Sequence, residues 1–131
     1  RSKKVGANGQ SLGYQVGIGQ DAWGRLSRGP GHEKLDWTDD AEKAVKPGQW
    51  NHYEVLAVGP AVWIAINGKL GAAYVEQNKD AKRSGQIAIQ LHFGPPQTVR
   101  CRIQKLVLDP KVELEGLSAK DLIGALRVGE K

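Results

Sequence analysis

A chain of 131 residues with a formal charge of +5 has material for one domain with a single core, and its basic excess is spread along the chain rather than interleaved with aromatics as a nucleic-acid surface requires. Nothing in it is long and apolar enough to span a membrane, and no spacing among His, Cys, Asp and Glu resembles a structural zinc site, so neither a metal nor any other cofactor is demanded. Met is absent even at position 1, which is therefore not a translation start, and a longer polypeptide is expected.

Residues 1–10 are rich in Gly and Lys and read as loop. From Leu12 to Gly19, Tyr14, Val16 and Ile18 alternate with Gln15, Gly17 and Gly19. That is a strand with one bare face, suited to close approach of a ligand or another backbone. Ala22 to Ser27 is expected to pair beside it before Arg28-Gly-Pro-Gly31 turns the chain. His32 to Pro47 is charged and irregular and reads as a surface excursion with a helical turn at Asp39 to Ala44. Regularity returns after Gly48. A strand from about Trp50 to Val58, a Gly59-Pro60 turn, a second strand ending at Asn67-Gly68, and a third running to Glu76 make a three-strand meander, with Asn-Gly as a strong two-residue hairpin signal.

The stretch Gly85 to Leu108 has the most informative alternation. Ile87, Ile89, Leu91 and Phe93 interleave with Ala88, Gln90 and His92, and after Gly94-Pro95-Pro96 a second run interleaves Val99, Cys101 and Ile103 with Arg100, Arg102 and Gln104. Two strands joined by a stiff turn are expected, with the apolar set facing the core, Cys101 as a buried thiol, and Gln15, Gln90, His92 and Arg102 sharing one polar sheet face. Ser118 to Leu126 carries an N-capping Ser with Asp121 three residues on and an apolar stripe of Leu122, Ile123 and Leu126, which predicts a short helix. The fold class is therefore all-β: an antiparallel β-sandwich over residues 1–109, followed by an extension over 110–131 that carries the helix.

A polar sheet face of this composition fits carbohydrate. Sugars offer hydroxyls and flat apolar faces, so their sites combine amides, guanidinium groups and imidazoles with an aromatic platform. Gln15, Gln90, His92, Arg100 and Arg102 supply the first set, and Trp63, out of phase with Val62, Ile64 and Ile66, supplies a ring on the polar side. Structural readings stand beside these. Trp63 also fits a core position, His92 also fits a residue that fixes the adjacent turn, and Gln90 and Arg100 also fit solvated surface.

WGRL at 23–26, PGQWNHYEV at 47–55, ING at 66–68, GQIAIQLHFGPP at 85–96 and RCRIQKLVL at 100–108 together resemble the 3-keto-disaccharide hydrolase family, over Leu12 to Leu108. The resemblance implies a concanavalin-like jelly roll with sugar on its concave sheet, an extracytoplasmic setting in bacteria, and cleavage of glycosides already oxidised at carbon 3. For such chemistry the residues read above are the candidates: His92 and Arg102 as the catalytic pair, and Tyr14, Gln15, Trp63, Gln90 and Arg100 as substrate-binding residues. Two departures fall where chemistry is expected. The family's first strand reads Gly-Tyr-Glu-x-Gln, whereas Gln15 and Gly17 stand here, so a carboxylate and an amide are missing. Strands that precede Gly13 in the family are also missing, so the sandwich is expected to be the C-terminal portion of a longer domain, completed by the rest of its chain or by a protein partner. Three function classes follow: a hydrolase or lyase on oxidised glycosides with weakened catalysis, a carbohydrate-binding module, and a non-catalytic subunit using the sandwich against another protein.

Overall fold

The computed structural model describes residues 2–3, 12–19, 21–29, 31–81, 83–91, 94–96, 98–106 and 124. Two antiparallel sheets carry the chain through Glu76. The first has the order β1 (Ser2–Lys3), β2 (Leu12–Val16), β3 (Leu26–Arg28) and β4 (Glu33–Asp36); β1 contributes only two residues, so β2 to β4 form its body. The second is the expected meander of β5 (Tyr53–Val58), β6 (Ala61–Ile66) and β7 (Lys69–Val75). A four-residue helix, α1 (Asp40–Lys43), lies between them in sequence and sits within the helical turn read from Asp39 to Ala44. The strand β4 was not legible because EKLD carries charge at three of its four positions, and it is specified instead by pairing with β3.

The core forms where the sheets meet. Leu26 of β3, Val62 and Ile64 of β6 and Ala72 of β7 are buried together, and Tyr14, Val16, Leu35, Tyr53 and Tyr74 pack around them. Two glycines make this approach possible: a Cβ on Gly71 would lie 2.9 Å from the Gly24 Cα and 3.1 Å from the Ala41 Cβ, so backbone meets backbone there and α1 seats its one buried residue, Ala41. The outer edge of β7 is covered rather than left as an open ladder. Asp36 Oδ2 accepts from the Ala73 N–H at 2.6 Å, and the Thr38 N–H donates to the Gly71 carbonyl at 2.8 Å. The β6–β7 turn uses Asn67 at φ 51° and Gly68 at φ 78°, the left-handed pair that a two-residue hairpin of this kind requires.

Beyond Glu76 the structure departs from the expectation. Among the described residues from 83 to 106 no strand forms, and Gln86 alone makes an isolated bridge. Ile87, at 69% relative exposure, Ile89, Leu91, Val99, Ile103 and Leu106 are all exposed rather than facing the core, and Cys101 is exposed rather than buried. The reason is physical: alternation specifies which face a strand would bury, but a strand also needs a ladder partner and an apolar layer opposite. The buried cluster between the two sheets is built from β3, β6 and β7 with side chains of β2, β4, β5 and β7 around it, and none of these exposed residues takes part in it. His92 and Phe93 lie outside the described residues, as does the helix expected over Ser118 to Leu126 apart from Gly124. The findings support a mostly β structure of two small antiparallel sheets with one short helix. No helix among the described residues is long and apolar enough to cross a membrane.

Candidate functional site

Three strands converge on one carboxylate. Glu76, directly after β7, is 7% exposed, and its Oε2 accepts from the Tyr14 hydroxyl at 2.5 Å and from Arg28 Nη1 at 2.8 Å, while Oε1 accepts from the Asn78 N–H at 2.8 Å and from the Tyr74 hydroxyl at 3.4 Å. Arg28 is shared: its Nη2 reaches Glu33 Oε2 of β4 at 3.0 Å. Alternation explains the convergence, since Tyr14 and Tyr74 both point into the interface between the sheets and Arg28 closes its end. Burial alone would raise the Glu76 carboxyl, but the donors from Tyr14, the Asn78 amide and Arg28 outweigh it and hold the group below its ordinary value. Tyr14 moves the other way. Burial, then the hydrogen bond to Glu76 and its negative charge, push the phenol up to about 12. A phenol so held is neither a base nor an activated donor, and the cluster ties one sheet to the other.

The predicted site residues fall in separate places. Tyr14 faces the core, so Gln15, its neighbour on β2, is directed to the outer side of the first sheet, where it pairs in register with buried Ser27. Trp63 packs with Ala61, Leu70, Ala73 and Val75 in a second apolar cluster of the β5–β7 sheet, and its indole Nε1 is buried without a hydrogen-bond partner among the described residues. Gln15 and Trp63 therefore belong to different sheets and are not brought together. Gln90, Arg100 and Arg102 are exposed on the segment without strands, and His92 is outside the described residues.

At Gly17 the missing side chain has a structural cause. A Cβ there would lie 2.0 Å from the Ala22 carbonyl oxygen, because the chain folds back across the position with Gly17 N–H donating to the Arg25 carbonyl at 2.9 Å and Gly24 N–H to the Gly17 carbonyl at 3.1 Å. The Tyr53 hydroxyl donates to that same Gly17 carbonyl at 3.0 Å. A model of the 3-keto-alpha-glucoside-1,2-lyase-like domain matches residues 1–103. The chain belongs to that family. No curated protein and no solved structure matches it.

In this 3-keto-alpha-glucoside-1,2-lyase-like domain, then, Tyr14 is committed to Glu76, and positions 15 and 17 hold an amide and a turn of backbone. Sequence reading missed two residues of the domain. Glu76 read only as the last residue of the third meander strand, and its approach to Tyr14 and Arg28 is what gives it a role. Trp50 looked like the start of a strand; it lies instead on the loop before β5, exposed, with the Arg102 guanidinium 5.4 Å from its ring centroid. A depression beside α1, lined by Asp40, Lys43, Ala44, Lys69 and Leu70, holds none of the predicted residues. Among the described residues no three His, Cys, Asp or Glu side chains gather as metal ligands would.

Proposed function

We propose that this chain is a carbohydrate-active domain of the 3-keto-glycoside lyase type that works outside the cytoplasm, binds sugar, and has weakened catalysis. The match to the 3-keto-alpha-glucoside-1,2-lyase-like family over residues 1–103 carries the reading. A ketone at carbon 3 acidifies the proton on carbon 2. A base removes that proton, the electron pair forms the carbon 1–carbon 2 double bond, and the glycosidic oxygen leaves from carbon 1, taking up a proton; water then adds across the new double bond. His92 is the base in this scheme and Arg102 the cation that steadies the enolate, with Gln15, Gln90 and Arg100 in contact with the sugar. A single positioned base contributes about 10² to 10⁴ in rate, and Gln15, standing where the family has a glutamate, cannot act as a second one. Incubation with a 3-keto-glucoside should release aglycone slowly, more slowly still for His92→Ala, and faster for Gln15→Glu. Rapid release that survives loss of His92 would defeat this assignment.

A second reading is favoured by one observation, the run of exposed apolar side chains from Ile87 to Leu106. In that reading the domain is an interaction subunit that buries this run against the rest of a longer chain or a protein partner. Size-exclusion chromatography of the isolated chain decides it, since a monodisperse monomer with no sugar-dependent change of state counts against a subunit.

A further inference from the structure

We infer that Trp50 and Arg102 form a sugar-stacking platform, the indole carrying the apolar face of an α-glucoside pyranose and the guanidinium donating to its hydroxyl or carbonyl oxygens. The inference rests on the carbohydrate reading above and deepens it by naming the surface on which the ring lies. Of the four tryptophans, Trp23, Trp37 and Trp63 are half-buried and Trp50 alone is exposed, at 62%. Trp37 also donates its indole N–H to the Trp23 backbone carbonyl at 3.0 Å, so that ring is committed to the fold. Trp50 is not. Its ring adds little to the core, yet its backbone is held firmly.

The holding is done by two asparagines. Asn51 Oδ1 accepts from the Lys46 N–H at 2.8 Å, and its Nδ2 donates to the Lys46 and Gln49 carbonyls, both at 3.0 Å, which closes the loop on either side of Trp50. Asn67, in the β6–β7 turn, accepts from the His52 N–H at 2.9 Å and donates to Asn51 Oδ1 at 2.9 Å and to the Ala44 carbonyl at 2.8 Å. The loop that presents Trp50 is thus fixed to a hairpin and to the end of α1 before any ligand arrives, which lowers the ordering cost of binding. Arg102 then approaches the ring at 5.4 Å from another part of the chain. An indole face satisfies the apolar C–H side of a pyranose and a forked cation satisfies its oxygens, and a mostly exposed Trp leaves the surface for both.

The test is isothermal titration of the full chain with 3-keto-trehalose and with trehalose, comparing the unaltered protein with Trp50→Ala, Trp50→Phe and Arg102→Lys, each checked for an unchanged thermal midpoint. The expected result is a loss of affinity of about tenfold or more for Trp50→Ala, a smaller loss for Trp50→Phe because a ring remains, and an intermediate loss for Arg102→Lys. A sugar-dependent shift of the Trp50 indole N–H resonance should accompany binding. If the unaltered protein binds and Trp50→Ala binds equally well, the platform is overturned while the carbohydrate reading stands. If the unaltered protein binds neither sugar, both are overturned.

Discussion

The cluster around Glu76 and the pair formed by Trp50 and Arg102 belong to the same two-sheet body, but they differ in what their neighbours leave over. Glu76 is enclosed, and hydrogen bonds from Tyr14, Arg28, Tyr74 and the Asn78 amide occupy both of its oxygens. Around Trp50 the opposite holds: the backbone is fastened through Asn51 and Asn67, and the ring itself is left to Arg102 and solvent. Polar groups that satisfy one another stabilise a fold and have little left for a ligand, whereas a side chain on a fixed loop with unspent surface can bind. The more chemically reactive-looking group is therefore the structural one.

The hardest test of that contrast is Glu76→Ala. It leaves Arg28 without its buried partner and two phenols without an acceptor, and should lower unfolding free energy by about 2 to 3 kcal/mol in denaturant titrations, a figure reduced because the Arg28 side chain is 34% exposed. Asn67→Ala should come next, at about 1 to 2 kcal/mol, since it removes three hydrogen bonds and puts a Cβ residue without a compensating side-chain bond at φ 51°. If it also weakens sugar binding while Glu76→Ala does not at a temperature where both are folded, the division between the two regions is sharpened.

Dependence on pH separates them further. The folded Glu76 carboxyl lies below its unfolded value, so its contribution is fully present above that value and is lost as pH falls through the folded one; the thermal midpoint should hold from pH 7 down to about 5 and then fall, with a flatter acid limb in Glu76→Gln. Tyr14 has the reverse sign. Its folded phenol is raised, so its contribution is present below about 10 and disappears between there and about 12, and Tyr14→Phe should flatten that alkaline limb at a cost of about 1 kcal/mol. Trp50→Ala should do least, shifting stability by no more than about 0.5 kcal/mol. A larger loss would move Trp50 into the structural class and dissolve the comparison.

The meander was legible in sequence because Asn67-Gly68 brings β6 and β7 together locally and because Val62, Ile64 and Ile66 alternate with Trp63 and Ala65. Leu12 to Val16 was legible for the same reason of period. The stretch after Gly85 has an alternation just as regular, yet it has no local turn of the kind that sets a register, and a period of two names a face without naming what covers it. The candidate site was legible as residue types more than as places. Gln15 and Trp63 share a polar phase in sequence, but they belong to different sheets, and phase along a strand carries no information about which layer the strand joins. Glu76 was illegible because its partners lie 48 and 62 positions away.

The fold-back at Gly17 sets a limit on what a single substitution there can achieve. A glutamine placed there would meet the Ala22 carbonyl before its amide reached anything, so the first strand and the turn that follows it act as one unit. Placing a side chain at position 17 therefore means rebuilding that whole turn rather than exchanging one residue.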